Sequence, residues 1–216
     1  MPKISAKETS DKNLEICMIA PVIPVLTINE IDNVRSLGEA LVAGGLPVLE
    51  VTLRTPYALE AIAEMSKIKG GIVGAGTLIT PNDVVNAVNA GATFGVSPGA
   101  TDQLIDACQD AGLPLLAGSS SASEAMRLLE KGYTVQKFFP AEAAGGATFL
   151  KSLSSPLPQI TFCPTGGVSL LNAKDYLACS NVKCVGGSWV APNEAILKKD
   201  WDLIEQLASE SVKVLS

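Results

Sequence analysis

Short apolar runs rich in β-branched residues alternate along this chain with longer stretches in which apolar residues return every three or four positions. The short runs are Val22–Leu26, Val48–Thr52, Gly71–Gly74, Thr93–Val96, Leu113–Leu116, Val135–Phe138, Ile160–Cys163 and Val182–Val185. They are apolar nearly throughout rather than alternating, as parallel strands covered on both faces must be. Between and after them lie helical patterns at Glu30–Val42, Pro56–Met65, Pro81–Val88, Asp102–Ala111, Ser123–Glu130, Ala147–Leu153, Leu170–Leu177 and Trp201–Val214. Thr55-Pro56 and Thr80-Pro81 each set a capping residue before a first-turn proline. Gly91, Gly112 and Gly132 stand where helices should end.

The strand runs recur about every 20–26 residues, room for one strand, one helix and short loops. Eight such units without a break predict an α/β fold, a parallel eight-stranded (β/α)8 TIM barrel, as one domain over residues 16–216. Residues 1–15 are polar, fall outside the repeat and are read as a tail or capping helix. A doubly wound open sheet is the competing topology, but no G-x-G-x-x-G follows the first strand.

Composition narrows the chemistry. The 216 residues carry a net charge of −6 and only three arginines, Arg35, Arg54 and Arg127, so no basic patch offers itself to nucleic acid. No apolar run approaches the roughly 18 residues of a membrane span, and residues 1–15 lack the apolar stretch of a secretory signal. A cytoplasmic protein is expected. The five cysteines (Cys17, Cys108, Cys163, Cys179, Cys184) contain no C-x-x-C pair and read as reduced core residues. There is no histidine, which removes Ser-His-Asp and Cys-His catalysis and histidine-based zinc sites.

In a barrel of this kind, functional groups gather at the C-terminal ends of the strands. Lys137 lies inside an apolar strand run, where desolvation lowers a lysine's pKa and makes its amine a nucleophile toward carbonyls. A lysine snorkelling from the barrel edge is the other reading of that position. Glu50 interrupts the second strand and is either a proton-transfer group or the ion-pair partner of Arg54. Arg54 has the planar fork that matches a carboxylate, and Thr77 follows the small residues Gly74-Ala75-Gly76. Pro98 is a pocket wall or an ordinary turn, and Phe139 an apolar wall or ordinary core. Thr165-Gly166-Gly167 and Gly186-Gly187-Ser188 place paired glycines after strands seven and eight, where such barrels commonly cradle phosphate. Lys183, near the start of its strand, is expected to reach solvent at the lower rim. No metal-ligand set is evident, and no cofactor is expected.

These blocks resemble the 2-keto-3-deoxy-6-phosphogluconate (KDPG) aldolase family. The likeness is carried by Gly45–Arg54, Gly74–Thr77, Ser97-Pro98-Gly99, Lys137–Glu142, Phe162–Gly167 and Gly186–Trp189, and runs from about Pro21 to Pro192. It implies a class I aldolase, usually trimeric, cleaving KDPG to pyruvate and glyceraldehyde 3-phosphate. By the same resemblance Lys137 forms the imine and Glu50 moves protons through a bound water. Arg54 and Thr77 hold the pyruvate carboxylate, Pro98 and Phe139 line its pocket, and Thr165, Gly166, Gly167, Gly187 and Ser188 serve the sugar and phosphate end. A relative acting on the galactonate-derived epimer, a metal-dependent lyase and a non-catalytic phosphometabolite-binding barrel are the competing readings. Activity on 4-hydroxy-2-oxoglutarate would follow from the same imine. The chain departs from the family in its polar N-terminal extension and at Gln136, where an apolar residue is usual. Alternation turns Gln136 away from the lysine's face, which puts local packing in question rather than chemistry.

Overall fold

A computed structural model describes residues 2–216. The elements run α1 (Ala6–Cys17), β1 (Val22–Leu26), α2 (Val34–Ala43), β2 (Val48–Thr52), α3 (Ala58–Met65), β3 (Ile72–Gly76), α4 (Pro81–Asn89), β4 (Phe94–Val96) and α5 (Asp102–Asp110). They continue with β5 (Leu115–Ser119), α6 (Ala122–Glu130), β6 (Val135–Phe138), α7 (Gly146–Leu153), β7 (Thr161–Pro164), α8 (Ala173–Leu177), β8 (Val185–Gly187), α9 (Asn193–Lys198) and α10 (Trp201–Leu215). All strand pairs are parallel, in the order β7-β6-β5-β4-β3-β2-β1-β8. Isolated bridges Phe162↔Val182 and Thr165↔Gly186 join β7 to β8 and close the circle. The protein is a (β/α)8 barrel, and among the described residues no helix is long and apolar enough to cross a membrane.

Side-chain alternation divides the core in two. Outward residues such as Val22, Leu49, Val51, Leu115, Phe138 and Phe162 pack with the helices. Inward residues Ile23, Val48, Phe94, Val96, Leu116, Val135, Cys163 and Cys184 fill the barrel's interior, joined by Cys17 from α1. The Phe94 ring is received by the missing side chain of Gly74, where a Cβ would stand 2.4 Å from it.

Helix α1 has little apolar periodicity because its buried face is polar. Thr9, Ser10 and Asn13 are buried. Asn13 donates to the Leu115 carbonyl at 2.9 Å, Ser10 donates to the Gly132 carbonyl, and Ser10 accepts from the Thr134 amide. It thus satisfies backbone groups on the N-terminal rim that a barrel would otherwise leave to water.

Several boundaries differ from the pattern read along the chain. β3 ends at Gly76 and β8 covers Val185–Gly187, so Val182 contributes only its single bridge to Phe162. Lys183 precedes β8 and is exposed. Thr80 caps α4 with Asp83 in a reciprocal box, as its proline suggests, whereas Thr55 caps nothing. The Thr55 hydroxyl instead donates to the Ile28 carbonyl, and α3 begins later, at Ala58. Helix α8 starts at Ala173, because the Asn172 side chain accepts from the Ser169 amide at 2.8 Å and holds a turn there. The short helix α9, after Pro192, carried too few periodic positions to be read.

Candidate active site

The C-terminal ends of β2 and β6 bring Glu50 and Lys137 together across the mouth of the barrel. Both point inward, because Leu49, Val51 and Phe138 take the alternate positions in the outer layer. Lys137 Nζ donates to Glu50 Oε1 at 3.2 Å, with side chains only 4% and 3% exposed. Lys137 does not snorkel, and Glu50 pairs with Lys137 rather than with Arg54. The amine also lies 5.4 Å from the centroid of the Phe139 ring, inside cation–π range.

The pair fits because β3, between β2 and β4, has glycine at the inward positions Gly74 and Gly76. A Cβ at Gly76 would fall 2.3 Å from Glu50 Oε1, so any larger residue there would drive the carboxylate off its partner. Thr52, one inward position above Glu50, is fixed by donating to the Leu26 carbonyl at 2.9 Å and lies 3.2 Å from the Thr27 hydroxyl.

Thr77 takes the left-handed conformation, φ 63°, which costs a non-glycine residue on the order of 1–3 kcal/mol. Its neighbours are pinned, Gly76 by the Leu53 amide (2.8 Å) and Leu78 by its own amide to the Val96 carbonyl (3.0 Å). The twist presents the Thr77 hydroxyl to Arg54, whose Nε donates to it at 3.1 Å. The guanidinium is exposed, leaving its remaining donors free for an anion arriving from solvent.

On the opposite side, the β6 and β7 loops zip together. The Ala141 amide donates to the Thr165 carbonyl (2.8 Å) and the Glu142 amide to the Gly166 carbonyl (3.0 Å). Gly166 and Gly167 have φ of 100° and 78°, backbone only glycine adopts freely, and Gly166 packs where a Cβ would meet the Phe139 ring at 3.2 Å. Thr165 leans over Gly186, whose absent Cβ leaves room for its hydroxyl. Gly187 is covered by the Trp189 ring, anchored by its indole N–H to Ser211 at 3.1 Å. Ser188 is exposed, and Pro98 is half-buried with its backbone against Gly118. The arrangement holds one amine, one carboxylate, one guanidinium and a glycine-lined rim at the C-terminal ends of the strands.

Two features escaped sequence reasoning. Glu142 accepts a short hydrogen bond from the Tyr176 hydroxyl, so α8 braces the loop beside Gly167; burial, then this bond, pushes the Tyr176 hydroxyl up from its ordinary pKa. Cys17, Cys163 and Cys184 also converge, their sulfurs all within 4.8 Å of one another, although they are scattered in sequence.

Comparison with known proteins follows the same lines. The family model for KDPG and KHG aldolase matches residues 14–207. A 2-dehydro-3-deoxy-phosphogluconate aldolase of Pseudoalteromonas atlantica is 48% identical over 193 residues, 89% of this chain and 90% of its own. The crystal structure of the Zymomonas mobilis ZM4 2-keto-3-deoxy-6-phosphogluconate aldolase with 3-phosphoglycerate superposes with a TM-score of 0.90 at 44% identity, covering 94% of this chain and 96% of that one. The Legionella pneumophila KDPG aldolase, with pyruvate captured at low pH as a covalent carbinolamine intermediate, gives a TM-score of 0.88 at 47% identity, covering 91% and 96%.

Proposed function

This chain belongs to the KDPG and KHG aldolase family, and we propose that it cleaves 2-dehydro-3-deoxy-6-phosphogluconate to pyruvate and D-glyceraldehyde 3-phosphate through an imine on Lys137. It is a carbon–carbon lyase of the Schiff-base type. The observation that carries the assignment of roles is the buried contact of Lys137 Nζ with Glu50 Oε1 at 3.2 Å. An amine withdrawn from water, with a proton acceptor in hydrogen-bond reach, is the arrangement a carbonyl-attacking lysine needs.

The proposed steps use that contact. Lys137, once its proton has passed to Glu50, adds as the free amine to the C2 carbonyl, and protonation and loss of water from the carbinolamine leave a protonated imine. Glu50, through a water, takes the proton from the C4 hydroxyl. The C3–C4 bond then breaks, its electrons passing into an enamine with the imine nitrogen as sink, while C4 becomes the aldehyde of glyceraldehyde 3-phosphate. Protonation at C3 and hydrolysis of the imine release pyruvate. Because the nitrogen carries the developing charge, the sequence of steps needs no Lewis acid. Arg54 and Thr77 hold the substrate carboxylate, the guanidinium by charge-assisted hydrogen bonds. Pro98 and Phe139 wall the pyruvate end. Thr165, Gly166, Gly167, Gly187 and Ser188 receive the sugar and phosphate, the glycines by letting the backbone approach closely.

The same imine accepts 4-hydroxy-2-oxoglutarate, the second activity in the family's description, since Arg54 and Lys137 see the same 2-keto acid end. A homotrimer is the assembly to test, by sedimentation. The five free thiols suit the reducing cytoplasm. The deciding experiment is borohydride reduction in the presence of pyruvate, followed by peptide mass spectrometry. A pyruvate-derived adduct on Lys137 is expected. An unmodified Lys137, or an adduct on Lys183, would overturn the mechanism.

A further inference from the structure

Below the Lys137–Glu50 pair, the barrel's floor contains a second polar-atom cluster that aldol chemistry does not use. Cys17 is the last residue of α1, Cys163 lies in β7, and Cys184 immediately precedes β8. Their exposures are 2%, 2% and 0%, and their sulfurs lie within 4.8 Å of one another. The remaining side chains of the interior cluster (Ile23, Val48, Phe94, Val96, Leu116, Val135) are apolar. So three thiols meet among apolar side chains, with the Thr165 hydroxyl beside Cys163 as the neighbouring polar group.

We propose that Cys17, Cys163 and Cys184 form an all-thiolate site for one soft d10 metal ion, of the copper(I) or cadmium(II) class, which ties α1 to the floor of the barrel. The distances suit this. With a metal–sulfur bond of about 2.3 Å, sulfurs sharing one ion stand about 4 Å apart, so the trio, within 4.8 Å of one another, closes on an ion with shifts of less than about 1 Å. The ligand set selects the ion, because thiolates prefer soft metals and the chain has no histidine to form a mixed site. The charge is also manageable. Three thiolates around a dication carry one net negative charge, and Lys137, the register partner of Cys163, places a cationic side chain on the adjoining strand.

The route in is α1 itself. This helix docks chiefly through polar contacts from Ser10 and Asn13, with only Ala6, Ile16 and Cys17 adding apolar contact. Elements held this way open at lower free energy than the core strands. Metal binding would cross-link three segments distant in sequence and damp that opening. Its effect is therefore on α1, and it draws no ligand from the Lys137–Glu50 pair, although Cys163 shares a rung of the β6–β7 ladder with Lys137.

The test uses the full chain, kept reduced with a phosphine, and cadmium(II) as the probe, loaded both by incubation and by growth in cadmium-containing medium. Expected are one cadmium per chain by elemental analysis after gel filtration, a thiolate-to-metal charge-transfer band in the near ultraviolet, and slowed amide exchange across Ala6–Cys17. The variants Cys17→Ser and Cys17→Ala should lose the band. Their cadmium affinity should fall by more than the roughly 10–100-fold that loss of an outer-shell partner costs, while pyruvate trapping on Lys137 shows that they fold. Cys179→Ser, outside the cluster, should bind as the parent does. Absence of bound cadmium by both routes, or binding that survives either change at Cys17, would overturn the site.

Discussion

Lys137 and Cys163 face each other across one rung of the β6–β7 ladder, and the two regions that meet at that rung are built on opposite terms. On the mouth side the barrel holds a buried ion pair, a strained threonine at φ 63° and glycines where side chains would fill space. On the floor side it holds Val48, Phe94, Leu116, Val135 and the three thiols, a packed layer with no charge in it. Taking two charges out of water costs more than their attraction reliably returns, whereas each buried apolar group adds stability through its area. The mouth is therefore held in shape by the floor and the outer layer, and in the proposed mechanism its own polar groups serve the reaction. Changes at the mouth should show first in rate, and changes at the floor first in stability.

The sharpest way to break that comparison is to remove the mouth's charges together. Lys137→Met with Glu50→Met should abolish aldol cleavage and pyruvate trapping. Its unfolding free energy should equal the parent's or exceed it by about 1–4 kcal/mol, as when buried pairs elsewhere are replaced by apolar side chains of similar size. Lys137→Met alone strands the Glu50 carboxylate and should cost about 3–5 kcal/mol. Urea titration of the three proteins decides the matter, and a double variant much weaker than the parent would mean that the ion pair does stabilise the fold. Next in size is Glu50→Gln, which keeps the shape but not the base. A fall in kcat of roughly 10²–10⁴-fold is expected, and parent-like rates across the pH range would assign proton transfer to another group.

Phe94→Ala tests the other region. The ring is 1% exposed and seated over Gly74, so its loss should cost about 3–5 kcal/mol. Under conditions where the variant remains folded, kcat should stay within a few-fold of the parent, because no atom of Phe94 belongs to the mouth. A large loss of kcat with little loss of stability would erase the distinction drawn here. Arg54→Ala comes after it in size. The exposed guanidinium should affect substrate binding rather than packing, raising KM by roughly 10–100-fold, the equivalent of one charge-assisted hydrogen bond.

These two regions were not equally legible in the sequence. Lys137 and Glu50 stood out because each is a charge inside an apolar strand run, and the strand-end rule of barrels then placed both at one opening. The paired glycines were visible for the same local reason. The floor was opaque. Cys17, Cys163 and Cys184 are far apart in the chain, and nothing in their spacing says that the end of a terminal helix meets β7 and β8. Helix α1 hid because its buried face is Thr9, Ser10 and Asn13, which bond to the rim instead of repeating apolar residues. Thr55-Pro56 looked like a helix cap, but the Thr55 hydroxyl found a stronger claim in the Ile28 carbonyl, across the loops. Local patterns reported what each strand carries; tertiary hydrogen bonds and sulfur contacts decided what the elements share.

The smallest effect belongs to a residue of neither region. Gln136 sits between Val135 and Lys137 but faces the helix layer, fully buried, donating to the Ala125 and Tyr133 carbonyls at 3.0 and 2.9 Å and accepting from Ser119 at 3.0 Å. Every polar group of its amide is engaged, which resolves the packing question that its departure from the family's apolar residue raised. Gln136→Leu should leave kcat and pyruvate trapping unchanged, since the lysine is on the opposite face of the strand. It should lower stability by about 1–3 kcal/mol, the cost of leaving buried partners unsatisfied. Adding Ser119→Ala removes one of those orphaned groups, so the double variant should recover part of the loss rather than add to it. A double variant weaker than the sum of the singles would mean that Ser119 and Gln136 are not held by each other. In that case the outer face of β6 would be organised by the carbonyls of α6 and its following turn alone.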